Sequence, residues 1–211
     1  MLDKGVSVWY GATVRGDVAS VKIGEKSSIG DCAVVHVARI QTEDGNPVST
    51  EIGSGVTVGA NAVIHAAVLK DNVSVGAGAQ VLDGAVVQEN SVVESGAIVT
   101  PGTVVNSGEL WAGSPAKMVR KLTEDEIASI GVGVEETMEL AAVHASECAK
   151  TFEQVKEDEE EYYDKLYRGD DYFQPLPKDQ KPAGDHLGKG QPGRIFNTEF
   201  TWMSDEKVNR T

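Results

Sequence analysis

Aromatic side chains make up only 6% of the sequence, too few for a core built on large rings. Basic residues are scarce as well. Nineteen Lys and Arg stand against 33 Asp and Glu, giving a net charge of −14. Phosphate binding needs a basic surface, so no nucleic-acid partner is expected. No run approaches the ~20 apolar residues of a membrane-crossing helix, so no transmembrane segment is expected. Cysteine is limited to Cys32 and Cys148, too few for a disulfide framework. Both lie among small or apolar residues and are expected to be buried free thiols. No signal or transit segment is visible, and Met1 stands almost directly against the first repeat, as in a processed or partial product.

Valine and glycine are abundant, and their order is periodic. Val75, Val81, Val87, Val93, Val99 and Val105 recur every six residues. Four residues after each of the first five stands a small side chain: Ala79, Ala85, Ser91, Ala97 and Thr103. The six-residue step also joins Ile52, Val58 and Ile64, then Ile23, Ile29 and Val35, then Val8 and Val14. An amphipathic helix repeats at three and four, and a half-buried strand at two, so neither gives this pattern. A prism with three short strands per turn does. Each hexad forms one face and eighteen residues make a coil, with the aliphatic side chain on the axis and Gly or Asn at the corners. The expected fold is an all-β core, a left-handed parallel β-helix of hexapeptide repeats over about 6–107, followed by a C-terminal α-helix and an extended tail.

Breaks in the period mark loops. Three residues are extra between Val14 and Ile23, and eleven between Val35 and Ile52, where Glu43-Asp44-Gly45-Asn46-Pro47 reads as a turn. One residue is missing between Ile64 and Val75. The expected division is a β-helix at 1–110, an exit turn at 111–122, a helical segment at 123–166 and a tail at 167–211. Thr123 and Glu126 form a capping box. Behind them Ile127, Ile130, Val134, Met138, Ala141, Ala145 and Cys148 follow helical spacing, a face expected to pack on the prism. Gly131 and Gly133 favour an early break in that helix. Residues 157–164 read as an acidic, solvated helix end. The tail carries Tyr172, Phe173, Phe196, Phe200 and Trp202, aromatics expected to hold it against another surface.

Coil length converts sequence into position. After the insertions are subtracted, Val14, Val35 and Ile64 share one face, so Arg15, His36 and His65 stack in a column about 4.8 Å apart. Two imidazoles one coil apart are placed to share a metal. Chance surface histidines are the plainer explanation. Yet the chain has four histidines in all, and the other two fall outside the repeat, His144 on the helix and His186 in the tail. The pair is incomplete, because catalytic zinc takes three protein ligands and a water.

Several segments resemble the γ-class carbonic anhydrases: Val8-Trp9-Tyr10-Gly11-Ala12-Thr13-Val14-Arg15-Gly16-Asp17, Val34-Val35-His36-Val37-Ala38, Leu110-Trp111-Ala112-Gly113-Ser114-Pro115-Ala116-Lys117, and Arg120-Lys121-Leu122-Thr123-Glu124-Asp125-Glu126-Ile127. The match covers residue 6 to about 150. The stretch 140–150 and the long C-terminal extension look most like the branch that serves as accessory subunits of mitochondrial respiratory complex I. The resemblance implies a trimer with zinc between subunits, two histidines from one chain and one from its neighbour. His36 and His65 match the pair, and the position of the third histidine is Ala60, which has no lone pair to give. Gly30 stands where the family places a Gln that holds the metal-bound water, with Asp31 beside it. Arg15 and Asp17 match residues that form an ion pair at the subunit interface. The family also has one or two further coils before the Trp9-Tyr10-Gly11 hexad.

The resemblance therefore implies no catalytic residue at work here, with Arg15, Asp17 and Asp31 vestigial or interfacial. Its cofactor is none, or zinc shared with a partner subunit. The partners implied are other γ-carbonic anhydrase-family subunits in a heterotrimer and membrane-arm subunits of complex I, at the matrix side of the mitochondrial inner membrane. Two other readings stay open. One is a working zinc anhydrase whose bound water has its pKa lowered toward ~7. The other is an acyltransferase on the same hexapeptide fold.

Overall fold

The computed structural model describes residues 1–41 and 47–167. Residues 42–46, where a turn is expected, and the segment 168–211, with its aromatics and His186, lie outside the described residues. Two compact units are present, Met1–Cys148 and Ala149–Thr211.

The first unit is a three-sided parallel β-helix. Its parallel strands are two to four residues long, as expected when a corner follows every hexad. Each face is a ladder whose rungs come from successive coils. One ladder aligns Val8, Ile29, Val58, Val75, Val93 and Trp111. A second aligns Val14, Val35, Ile64, Val81 and Val99. The third runs Ile23, Ile52, Leu69, Val87 and Val105. Apart from Leu69 and Trp111, these are the period-six residues read from the sequence. Val75, Val81, Val87, Val93 and Val99 are all buried, as are Ala79, Ala85, Ser91 and Ala97. The axis is thus a column of aliphatic side chains with small residues filling the corners, which is how a narrow prism reaches interior packing density.

The repeat runs one strand past Val105. Glu109–Ala112 pairs in parallel with Val92–Val93, then turns back as Lys117–Lys121 in antiparallel pairing. Trp111 takes the next period-six position and packs against the end of the core. Its indole N–H donates to Glu109 Oε2 at 2.8 Å. That bond and those from Asn106 outweigh burial and hold the Glu109 carboxyl below its usual range. The eleven-residue insertion leaves the prism as an antiparallel ribbon, Ala38–Gln41 against Pro47–Val48.

Helix α1, Glu124–Cys148, begins at the expected capping box. Thr123 N–H donates to Glu126 Oε2 at 2.9 Å, and Glu126 N–H returns a bond to Thr123 Oγ1 at 3.3 Å. Arg120 clamps the same carboxylate with two bonds of 2.8 and 2.7 Å. Gly131 and Gly133 do not break the helix, which runs unbroken for 25 residues. Each glycine costs about 1 kcal/mol, yet Val134, in the same turn, is buried. Lys26 bonds Glu135 at 2.8 Å and ties the same turn to the first coils.

Two expectations fail at the far end of α1. Ala145 and Cys148 are exposed, and both line an open cavity of about 480 Å³ between Gly5–Tyr10 and Met138–Cys148. Cys32 is exposed too. It occupies a prism corner at φ 54°, where the side chain turns outward, so neither cysteine is a buried thiol.

In the second unit, α2 spans Phe152–Tyr167 as a separate helix, and its described side chains are all exposed.

Candidate metal site

Three parallel strands build the site: Thr13–Arg15, Val34–His36 and Val63–His65. Their register sets Arg15 beside His36 and His36 beside His65. In each strand the preceding residue (Val14, Val35, Ile64) points to the axis, so strand alternation turns the next one outward. The helix α1 packs along a different face, that of Ser28–Ile29 and its ladder, and leaves the histidine face open.

The imidazole centroids of His36 and His65 are 5.1 Å apart with the rings tilted by 54°. His36 is fixed through its backbone, whose carbonyl accepts Thr50 Oγ1 at 2.5 Å and Ala66 N–H at 3.0 Å. Its Nε2 is buried and makes no hydrogen bond. The nearby carboxylate oxygen, Asp17 Oδ1, lies 3.4 Å away, and His36 helps hold the Asp17 carboxyl below its usual range. A buried imidazole nitrogen without a partner is unusual. His65 differs, because its Nδ1 is hydrogen-bonded to Asp83 Oδ1. Sequence reasoning missed Asp83. It stands on the next coil, one place beyond Leu82, the residue level with His65, because the residue missing between Ile64 and Val75 shortens that coil to seventeen.

Arg15 and Asp17 form an ion pair at 2.5 Å within the chain. Desolvation pushes the Asp17 carboxyl up, but the hydrogen bond and charge of Arg15 outweigh it and leave the group below its usual range. Asp31 does not join the pair. Its Oδ1 accepts the Tyr10 N–H at 3.1 Å and braces the corner of the coil below. Ala60 lies at the corner before the His65 strand and contributes only its carbonyl, to Gly78 N–H at 2.8 Å. His144 lies on α1, 2.9 Å from the Tyr10 hydroxyl, apart from the His36–His65 column.

Gly30 is more than a vacant place for a longer side chain. A Cβ built there would approach Val58 O at 2.7 Å and Ala60 N at 2.8 Å, both backbone atoms of the next coil. Any side chain at this position must move the stacked backbone first.

These residues offer two nitrogen donors toward a metal. The unpartnered Nε2 of His36 and the carboxylate-bonded ring of His65 suit ligand roles. Among the described residues no cluster of three or more His, Cys, Asp or Glu could hold a metal ion. The stacked imidazoles of His36 and His65 are thus the nitrogen donors that this face presents.

No family model matches the chain. Similarity to individual proteins is extensive. Gamma carbonic anhydrase 2, mitochondrial, of Arabidopsis thaliana is 42% identical over 155 residues, 74% of this chain and 55% of that protein. The chain thus spans about half the length of such relatives. A Methanocaldococcus jannaschii protein described as a probable carbonic anhydrase is 46% identical over 124 residues, 59% of this chain and 74% of its own length. The crystal structure of a hexapeptide transferase family protein from Anaplasma phagocytophilum superposes with a TM-score of 0.60 at 40% identity, covering 66% of this chain and 78% of the other. With the hexapeptide β-helix, the stacked histidine pair and these identities in hand, the chain belongs to the γ-class carbonic anhydrase family.

Proposed function

We propose that this chain is a structural γ-carbonic anhydrase-type subunit that hydrates little or no CO2 alone. In this reading it occupies one place in a heterotrimer of related subunits. The trimer sits on the matrix side of the mitochondrial inner membrane, attached to the membrane arm of complex I (NADH:ubiquinone oxidoreductase). The observation that carries the loss of activity is the ligand set, two imidazoles with Ala60 where a third is needed. The backbone packed over Gly30 points the same way, because it leaves no room for a side chain to orient a bound water. The mitochondrial location is supported by relatives named as mitochondrial proteins. No helix among the described residues is long and apolar enough to cross a membrane, so attachment rests on partner subunits in this reading.

One observation favours a second reading, an active zinc anhydrase assembled with partners. The His36–His65 pair is intact, and a partner's histidine could complete it, while only the interface that receives Ala60 must fail. The test of assembly is gentle solubilisation of mitochondrial membranes followed by mass spectrometry of everything that travels with the chain. Related subunits together with complex I membrane-arm subunits are expected. Recovery of a lone homotrimer free of complex I would overturn the proposal.

A further inference from the structure

We infer that Asp83 is the positioning residue of the histidine pair: it accepts the Nδ1–H of His65 and so leaves Nε2 as that ring's only lone pair. This rests on the reading above that the pair is this chain's contribution to a shared site.

The argument starts from what an imidazole can do. A neutral ring carries one N–H and one lone pair, and whichever nitrogen is hydrogen-bonded to an acceptor keeps the proton. The Asp83 carboxylate faces His65 Nδ1 and can only accept, so the proton belongs on Nδ1. Both side chains are about one-third exposed, 31% for His65 and 33% for Asp83, so the contact lies at the rim of the open face and not in the core. A surface ion pair kept for stability alone would contribute little there. The neighbouring ring completes the pattern, since His36 Nε2 is buried, without a hydrogen bond, and beside the same column. The His65 ring is thus held by a carboxylate, and His36 Nε2 makes no hydrogen bond among the described residues. Carboxylate–histidine pairing of this kind fixes ring orientation and raises ligand basicity in metal sites. Asp83 reaches His65 from the following coil, so the placement depends on stacking alone and survives the loss of a ligand at Ala60.

The test uses the full chain labelled with ¹⁵N. In the zinc-free protein, long-range ¹H–¹⁵N correlation spectra report which nitrogen of His65 carries the proton. The Nδ1–H tautomer is expected in the wild type and in Asp83→Asn, whose amide oxygen can accept the same bond. Asp83→Ala is expected to release the ring to the Nε2–H form, with His36 unchanged. Zinc affinity, measured by competition with a weak chelator, should fall about 10–100-fold in Asp83→Ala, and less in Asp83→Asn. A wild-type His65 protonated on Nε2 would overturn the inference, as would an Asp83→Ala chain with unchanged tautomer and unchanged zinc affinity. If Asp83→Ala fails to fold, the wild-type and Asp83→Asn spectra still decide it. The tautomer is read without metal. A correct tautomer with no zinc binding, alone or with partner subunits, would therefore count against the shared site and leave Asp83's positioning of the ring intact.

Discussion

Truncating Val87 tests the prism register more sharply than any surface change. Val87 is 0% exposed and lies in register between Leu69 and Val105. Val87→Ala removes two carbons from the axis, a transfer cost of about 1.6 kcal/mol at ~0.8 per methylene. The stacked coils above and below are hydrogen-bonded into continuous ladders and cannot collapse far into the gap, so a cavity penalty adds to this. The expected loss is about 2–3 kcal/mol, on the order of 5–10 °C in Tm for a chain of this size. Val86, its neighbour, is only half-buried and points away from the axis, so Val86→Ala should cost less than about 1 kcal/mol. Val87→Asp would place an unpaired charge among aliphatic side chains, and the loss should exceed about 4 kcal/mol. The assay is urea unfolding followed by far-UV circular dichroism, with protein concentration held fixed so that subunit assembly does not shift the midpoints. Equal losses for Val86→Ala and Val87→Ala would refute the register. So would a Val87→Asp variant that unfolds at the wild-type midpoint.

Other outcomes follow from the same structure. Thr123→Ala should cost about 1 kcal/mol by removing the cap of α1, read by thermal unfolding. Glu126 is held at about 2 instead of 4.5, first by Arg120 and then by the Thr123 N–H. Its folded value is depressed, so its contribution is complete above about pH 4.5 and is lost as pH falls toward about 2. Acidification through that window should weaken hydrogen-exchange protection of the Ile127 amide in the first turn, and stronger protection would contradict the sign. Ala60→His should raise zinc affinity in a competition titration, since it adds the missing nitrogen donor. Gly30→Gln should lower the unfolding free energy in a urea titration by about 1–3 kcal/mol, because its Cβ meets the backbone of the next coil, and unchanged stability would show that the coils yield easily.

Much of the fold was legible because a period of six admits so few structures. The axis column from Val75 to Val99, the stacking of Arg15, His36 and His65, and the cap at Thr123 all follow from spacing and residue type. The sequence reading went wrong where it weighed local composition over position. Cys32 has apolar neighbours, yet it stands three residues after Ile29, the corner slot taken by Gly78 after Val75 and Asn90 after Val87. Ala145 and Cys148 follow the packed stripe of α1, but they line an open cavity and stay exposed, although the Tyr10 hydroxyl reaches Cys148 Sγ at 3.3 Å. Trp111 extends the six-residue step beyond Val105, which a search for aliphatic residues alone passes over. Asp83 lies off the column, since the seventeen-residue coil sets Leu82 level with His65 and Asp83 one place beyond. Gly30 shows a limit of another kind, because the absence of a Gln is visible in sequence while the backbone that bars one is not.

The central claim is that this chain keeps the architecture of its family without a complete metal site of its own. The most direct measurement expresses the chain alone, loads it with zinc, and determines bound metal and CO2 hydration on the same preparation. Zinc well below one per chain and hydration at background are expected. Stoichiometric zinc together with hydration well above background in the isolated chain would contradict the account.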